Sequence, residues 1–289
     1  MAARPELIAI VGPTASGKTA LAIAIAELYD GEIVCADSRT VYKGMDIGTA
    51  KPSAAERARV PHWGLDLIDP DQPFSVADFK RYADDKIQDI RHRGKLPIIA
   101  GGTGLYVDAV LYDFQFGPPA DPSERTRLEA MTVEELHEYC EKNNVSMPEN
   151  DRNKRHIIRA IERKSTSAIK RSTLRSGSHI VGIATDTETL RTRIVRRSEQ
   201  LFANDVEREA TILGKKYGWD NEAMTGNIYP LIRAYLEGGL TLPEVKDKFA
   251  TLDYQLAKRQ MTWLRRNPDI MWCSLTGASD YIHALLATE

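Results

Sequence analysis

A glycine-rich segment near the start of the sequence carries the clearest chemical signal. Gly12-Pro-Thr-Ala-Ser-Gly-Lys-Thr19 matches G-x-x-x-x-G-K-[ST], a pattern that binds phosphates where it joins a strand to a helix. Its glycines let successive backbone N–H groups face phosphate oxygens, and the helix that follows adds the positive end of its dipole. We expect Lys18 to supply a point charge and Thr19 to ligate Mg²⁺. The predicted phosphate-binding residues are Gly12, Pro13, Thr14, Ala15, Ser16, Gly17, Lys18 and Thr19.

Two later segments follow apolar runs and should lie beside this loop. Asp37 comes directly after one run, and Thr103, in a Gly-Gly-Thr-Gly string, follows another. The carboxyl ends of parallel strands line one edge of an open sheet, so both side chains are expected at that edge. Asp37 could then serve as a general base or hold Mg²⁺ through water, or it could be a turn aspartate. Lys51, in a neighbouring glycine-rich segment, could also reach a phosphate.

The surrounding pattern predicts the elements that position these residues. Short apolar runs indicate buried strands, and longer segments have apolar residues at helical spacing. Their alternation predicts an α/β fold with a mostly parallel sheet. The predicted strands cover 7–11, 32–36, 64–68, 96–100 and 180–184; the predicted helices cover 18–28, 76–92, 188–217, 228–236 and 243–266.

The middle of the chain has a different character. From 121 to 175 it is polar, helical in pattern and poor in strand signals, so we predict a helical insertion there, within a core made of 1–120 and 176–289. Between Arg152 and Arg175 stand nine lysines and arginines against one acid, Glu162. A basic cluster on a protein of net charge −2 favours a polyanionic partner, and a solvated helix face is the alternative.

Composition excludes several classes of protein. The 289 residues are 42% hydrophobic and 28% charged, the balance of a globular enzyme rather than a disordered or fibrous chain. The sequence has no apolar run long enough for a membrane span and no secretory signal pattern. Its three cysteines are far apart in sequence, which predicts reduced thiols and a cytoplasmic location.

Seven segments, in order, resemble the tRNA dimethylallyltransferases, also called tRNA isopentenyltransferases. The phosphate loop alone would admit many kinases and GTPases, whereas seven ordered matches are specific. The matching strings are GPTASGKT at 12–19, ADSRTVYKGMDIGTAKP at 36–52, DPDQPFSVADF at 69–79, GGTGLY at 101–106, ADPSER at 120–125, RHIIRAIE at 155–162 and QLAKRQMTWLRR at 255–266.

The resemblance implies a prenyl transfer. A dimethylallyl group would leave its diphosphate and join N6 of the adenosine on the 3′ side of the tRNA anticodon. The implied fold is a P-loop NTPase-like parallel sheet core with an inserted helical tRNA-binding domain. The implied catalytic residues are Asp37, Lys18 and Thr19. Asp37 would accept the proton from the attacking N6 amine or hydrogen-bond to it, and the phosphate loop would hold dimethylallyl diphosphate and Mg²⁺.

The resemblance also implies a macromolecular partner, the tRNA anticodon stem-loop, and we take a monomer as the default state. The target base must leave its stack to enter a pocket, and basic side chains would contact phosphates. The implied tRNA-binding residues are Asp37, Ser38, Arg39, Thr40, Thr103, Arg125, Arg155, His156, Ile157, Ile158, Arg159, Lys258 and Arg259.

The sequence departs from the family pattern mainly where tRNA contacts are expected. Pro230 stands where the family usually has a basic residue, and Asp253-Tyr254 replaces the usual Thr-Arg. Three alternatives remain open at this point: a small-molecule kinase using ATP, an adenylate isopentenyltransferase acting on free nucleotides, and a non-enzymatic RNA-binding module. The intact Lys18, Thr19 and Asp37 argue against the last.

Overall fold

The computed structural model describes residues 5–116, 121–163 and 173–287. Two compact units divide the chain: one contains residues 1–112 and 173–289, and the other contains 113–172. The insertion predicted from the sequence spans 121–175. Part of its basic run, residues 164–172, lies outside the described residues.

The first unit contains a six-stranded parallel sheet, as the α/β prediction required. Its strands, in the spatial order β3-β2-β4-β1-β5-β6, pair in parallel throughout. The central strand is buried along its whole length, which fits its unbroken apolar sequence. The strands are β1 (Leu7–Val11), β2 (Gly31–Ala36), β3 (His62–Trp63), β4 (Leu96–Gly101), β5 (Ser178–Ile183) and β6 (Ile270–Cys273).

Twelve α-helices are present in the described parts of the chain, and α5, α6 and α7 belong to the second unit. Their apolar faces explain the long helices: in α3, Val76, Phe79 and Ile87 are buried, and Ser75 caps the first turn. The helices are α1 (Lys18–Leu28), α2 (Ala54–Arg59), α3 (Val76–His92), α4 (Gly104–Leu111), α5 (Pro122–Ala130), α6 (Val133–Lys142), α7 (Lys154–Arg163), α8 (Thr187–Ala203), α9 (Val206–Tyr217), α10 (Tyr229–Leu236), α11 (Leu242–Leu264) and α12 (Leu275–Leu286).

Two element predictions are wrong. The strand predicted at 64–68 is instead a two-residue strand, β3, directly before it. Gly64 has a φ of +84°, and a Cβ there would lie 2.8 Å from the Cys35 carbonyl oxygen, so the chain turns away from the sheet at this glycine. The helix predicted at 188–217 is two helices, because Asp205 adopts a left-handed conformation between α8 and α9.

Four elements escaped sequence prediction: α2, α4, β6 and α12. The strand β6 has only four residues and lies at the sheet edge with partly exposed side chains, so it lacks the continuous apolar run that identified the inner strands. The remaining strand and helix predictions are confirmed within two residues at each end.

Candidate active site

The phosphate loop connects β1 to α1, as predicted. Ala15 and Gly17 both have positive φ, at 61° and 94°, which turns the backbone tightly before the helix begins. The Lys18 ammonium donates to the Pro13 carbonyl at 3.0 Å, and burial lowers its pKa to about 8, although the Asp37 carboxylate opposes that fall. The Thr19 side chain is exposed at the start of α1.

Polar side chains from later helices contact this loop. Thr14 is held twice: its backbone N–H donates to Gln260 Oε1 on α11 at 2.7 Å, and its Oγ1 accepts from Arg197 Nη1 on α8 at 2.7 Å. One turn earlier on α8, Arg193 Nη1 donates to the Ser16 carbonyl at 3.0 Å. Two guanidinium groups therefore lie against the phosphate loop.

These two arginines are not predicted from the sequence. They follow a strand by a full helical turn or more, and no motif contains them. The available signal was their spacing, because Arg193 and Arg197 are four residues apart and so share one helix face.

Asp37 follows the last residue of β2, at the edge of the sheet that also holds the phosphate loop. Its Oδ1 accepts from the Arg39 backbone N–H at 2.8 Å. The backbone N–H of Ser38, between these two residues, donates at 3.1 Å to Thr103 Oγ1. Thr103 follows the neighbouring strand β4. Thr40 is buried and its hydroxyl donates to the Asp37 carbonyl at 3.3 Å. The two predicted edge segments are therefore hydrogen-bonded to each other.

One cavity joins the phosphate loop to Asp37. Its volume is about 300 Å³. The lining includes Lys18, Thr19 and Asp37 together with Arg197 and Asp253. Of the two basic residues predicted on α11, Arg259 also lines this cavity, whereas Lys258 is exposed on the helix surface.

Arg39 and Lys51 have structural partners. The Arg39 guanidinium donates to the Glu222 carbonyl at 2.8 Å and to Thr225 Oγ1 at 3.1 Å. Lys51 is buried and ion-paired with Asp46 at 2.8 Å and Asp66 at 2.6 Å. The suggestion that Lys51 reaches a phosphate is corrected accordingly: a buried ammonium with two carboxylate partners stabilises its own loop.

The second unit holds the other predicted tRNA-binding residues. On α7, Arg155 and His156 are exposed and Arg159 is half-buried. Arg125 donates to Glu162 at 3.0 Å and to Glu129 at 2.8 Å within the same unit.

Ile157 and Ile158 are buried within the second unit. They are 0% and 2% exposed and pack in a core with Leu128, Leu136 and Cys140. The predicted RNA contact is wrong for these two side chains, because the helix turns them away from solvent and its exposed arginines occupy the opposite positions.

Tyr254 and Asp253, which depart from the family pattern, both contact neighbouring polar side chains. The Tyr254 ring lies between the Arg191 guanidinium at 4.5 Å and the Lys258 ammonium at 4.8 Å. Asp253 is buried, and its Oδ1 accepts from Asn227 Nδ2 at 3.0 Å. Across residues 5–116, 121–163 and 173–287, no helix is long and apolar enough to cross a membrane, and no group of three or more His, Cys, Asp or Glu could hold a metal ion.

The strand order, the phosphate loop after the central strand and the guanidinium groups against that loop define an enzyme core of the P-loop NTPase-like fold. The IPP transferase family model matches residues 40–267, and the isopentenyl transferase model matches residues 5–61. The chain therefore belongs to the IPP transferase family, whose members are prenyltransferases.

Individual relatives agree with this assignment. The chain is 42% identical to a tRNA dimethylallyltransferase of Roseiflexus sp. (strain RS-1) over 281 residues, with 92% of each chain covered. It is 36% identical to a tRNA dimethylallyltransferase of Bacillus cytotoxicus, with 94% of this chain and 91% of the relative covered. The crystal structure of a tRNA isopentenylpyrophosphate transferase from Bacillus halodurans superposes with a TM-score of 0.74 at 35% identity and covers 97% of this chain and 95% of its own.

Proposed function

We propose that this chain transfers the dimethylallyl group of dimethylallyl diphosphate to N6 of the adenosine on the 3′ side of a tRNA anticodon. The observation that supports this best is the single cavity in which the phosphate loop and Asp37 both take part. Family membership supports the reaction class and the tRNA substrate.

The donor's diphosphate fits the phosphate loop. Backbone N–H groups at the start of α1, among them those of Lys18 and Thr19, provide hydrogen-bond donors. The Lys18 and Arg197 side chains provide charge from two directions. A departing diphosphate gains negative charge as the allylic carbon–oxygen bond breaks. Fixed cations in a confined site therefore stabilise the transition state more than the bound substrate.

A magnesium ion fits the same end of the cavity. The Thr19 side chain is exposed at the helix start, and both Thr19 and Asp37 line the same space. Mg²⁺ usually combines one or two protein oxygens with substrate phosphates and waters, so the small number of protein ligands is no obstacle. When bound, the ion would neutralise diphosphate charge, with Thr19 as its protein ligand.

We infer that Asp37 serves the acceptor. As the N6–carbon bond forms and the carbon–oxygen bond of the donor breaks, N6 gains a positive charge and must lose a proton. The Asp37 carboxylate accepts that proton in our proposal, and the electron pair of the broken bond leaves with the diphosphate. The hydrogen bonds from Arg39 and between Ser38 and Thr103 hold this segment in place for the task.

The tRNA contacts belong to basic residues and one histidine. In the second unit these are the exposed Arg155 and His156 and the half-buried Arg159 and Arg125; in the first unit they are the exposed Arg259 and Lys258. They would bind backbone phosphates of an anticodon stem-loop, which positions the RNA without reading its sequence. A monomeric state and a cytoplasmic location remain predictions.

The test is an incorporation assay on the whole chain. Undermodified tRNA, Mg²⁺ and labelled dimethylallyl diphosphate should give label in RNA, located at the adenosine beside the anticodon by nuclease digestion and mass spectrometry. Two parallel reactions replace tRNA with AMP, or the donor with ATP. Label in AMP but not in tRNA would support the adenylate isopentenyltransferase, and phosphate transfer from ATP without RNA labelling would support the kinase.

A further inference from the structure

The cavity contains a negative charge that the proposed chemistry does not use. Asp253 lines it and is 3% exposed. One carboxylate oxygen, Oδ1, accepts the hydrogen bond from Asn227 Nδ2 at 3.0 Å, while Oδ2 is buried and has no hydrogen-bond partner. A buried carboxylate oxygen without a hydrogen-bond donor destabilises the folded state. Its presence in this cavity therefore suggests a functional role.

Asp253 lies beside Arg197, one of the two arginines that contact the phosphate loop. Arg197 Nε lies 3.8 Å from Asp253 Oδ2, too far for a hydrogen bond, and Nε is itself buried without a partner. At the other end of the same guanidinium, Nη1 donates to Thr14 Oγ1. Arg197 therefore lies between a buried anion and the loop assigned to the donor's diphosphate.

This arrangement has an electrostatic consequence. An anion beside a guanidinium cancels part of its field, and it repels any further anion that approaches the same group. The effect is strong in a buried site, where the effective dielectric constant is well below that of water.

We propose that Asp253 weakens the site's hold on diphosphate and so promotes release of the inorganic diphosphate product. The inference rests on the proposed donor site. Inorganic diphosphate keeps every anionic contact that the donor makes and gains a charge when the prenyl group departs. Without Asp253, the combined charge of Lys18 and Arg197 would hold that product more tightly. The Asp253 carboxylate offsets part of this positive charge and leaves the hydrogen bonds of the loop unchanged.

Other roles for Asp253 predict a different change in diphosphate affinity. If Asp253 served only to orient Arg197, removing its charge would free the guanidinium and weaken diphosphate binding. If it served only in packing, its replacement would also weaken binding or leave it unchanged. Tighter binding in a variant is a gain that neither loss of orientation nor loss of packing produces.

The variant that tests this is Asp253→Asn. It keeps the shape and an acceptor oxygen for Asn227 and removes the charge. Asp247→Asn, an exposed acid on the same helix α11, makes the same change in net charge away from the cavity. Asp253→Thr serves as a second variant if the amide disturbs folding, and thermal melting of all three establishes that the variants are folded.

The measurements are calorimetric binding of inorganic diphosphate with Mg²⁺ and its product-inhibition constant against dimethylallyl diphosphate. We expect Asp253→Asn to bind inorganic diphosphate about tenfold more tightly, with a matching fall in the inhibition constant, and Asp247→Asn to resemble the wild type. Wild-type binding with an equal or weaker affinity in Asp253→Asn overturns the inference alone. A wild type that binds no diphosphate overturns the proposed donor site, and this inference with it.

Discussion

Gln260 Oε1 accepts a hydrogen bond from the Thr14 backbone N–H at 2.7 Å, which joins α11 to the phosphate loop across 246 positions of sequence. Gly102 lies beside this contact: a Cβ at that position would stand 2.4 Å from Gln260 Nε2. Three segments that are distant in sequence therefore meet at one side chain, and a Cβ at Gly102 would displace the Gln260 amide.

This contact predicts coupled effects of two substitutions. Gly102→Ala should push Gln260 off the loop and raise the KM for dimethylallyl diphosphate severalfold, and Gln260→Ala should do the same by leaving the Thr14 N–H without its partner. In the double variant the added methyl group finds most of its space free, so the two effects should not add. Steady-state kinetics of the four proteins checks this, and additive effects would show that Gly102 acts independently of Gln260.

Asp37→Asn should separate binding from chemistry. The amide keeps the side chain's shape but cannot accept the proton from N6, so we expect turnover to fall by about a hundredfold or more. Inorganic diphosphate should bind no more weakly than to the wild type, because the phosphate loop provides the contacts and the lost carboxylate repelled the anion. Asp71→Asn, at an exposed loop position, is the matched control. A loss of turnover of only a few fold would remove Asp37 from the role of base.

Charge reversal on α7 should affect RNA binding through its salt dependence. Arg155→Glu with Arg159→Glu removes two cations from the second unit, and each lost phosphate contact lowers the slope of log affinity against log salt by about 0.7 to 0.9. Filter binding of a tRNA anticodon stem-loop between low and moderate salt measures that slope. The reversal Lys215→Glu, at an exposed position of the first unit, should leave it near the wild-type value. An unchanged slope in the double variant would place the RNA elsewhere.

Glu32 predicts a defined dependence of stability on pH. Its buried carboxylate accepts hydrogen bonds from both terminal nitrogens of Arg93 and from Trp63 Nε1, and the Arg93 hydrogen bonds hold the Glu32 pKa below its ordinary value of 4.5. Because folding lowers this pKa, the stabilisation is present above the unfolded-state pKa and is lost as pH falls through the folded-state value. Glu32→Gln should therefore cost about 2 kcal/mol in the free energy of unfolding at pH 7. Urea titrations should show that difference shrinking below about pH 4; a constant difference would contradict the ion-pair origin.

The three cysteines should differ in reactivity. All three are free thiols; Cys35 and Cys140 are buried, and Cys273 is half-buried. Burial raises the pKa of the Cys35 thiol to about 12, so almost no thiolate is present at pH 8. Mass spectrometry after brief iodoacetamide treatment should find Cys273 labelled first and Cys35 last. In urea all three should react alike. Rapid labelling of Cys35 in the folded protein would show that this thiol becomes exposed to solvent without global unfolding.

Local patterns explain what could be predicted and what could not. The phosphate loop and the segments at Asp37 and Thr103 each follow an apolar strand, so position along the chain was enough to bring them to one sheet edge. Arg197 and Asp253 come from helices whose packing over the loop depends on long-range contacts, and no local pattern reports those. The RNA contact predicted for the isoleucines of α7 is wrong for a related reason. The matching string covers consecutive residues, whereas a helix exposes only some of the residues in each turn.

The position of β1 between β4 and β5 also bears on how the protein is made. Leu7–Val11 pairs on one side with 98–101 and on the other with 178–182, so the strand that carries the phosphate loop stays half-unpaired on the ribosome until the second segment emerges. Gln260 is synthesised later still. Nascent chains that stop before residues 178–182 would expose an apolar strand edge to chaperones and to one another.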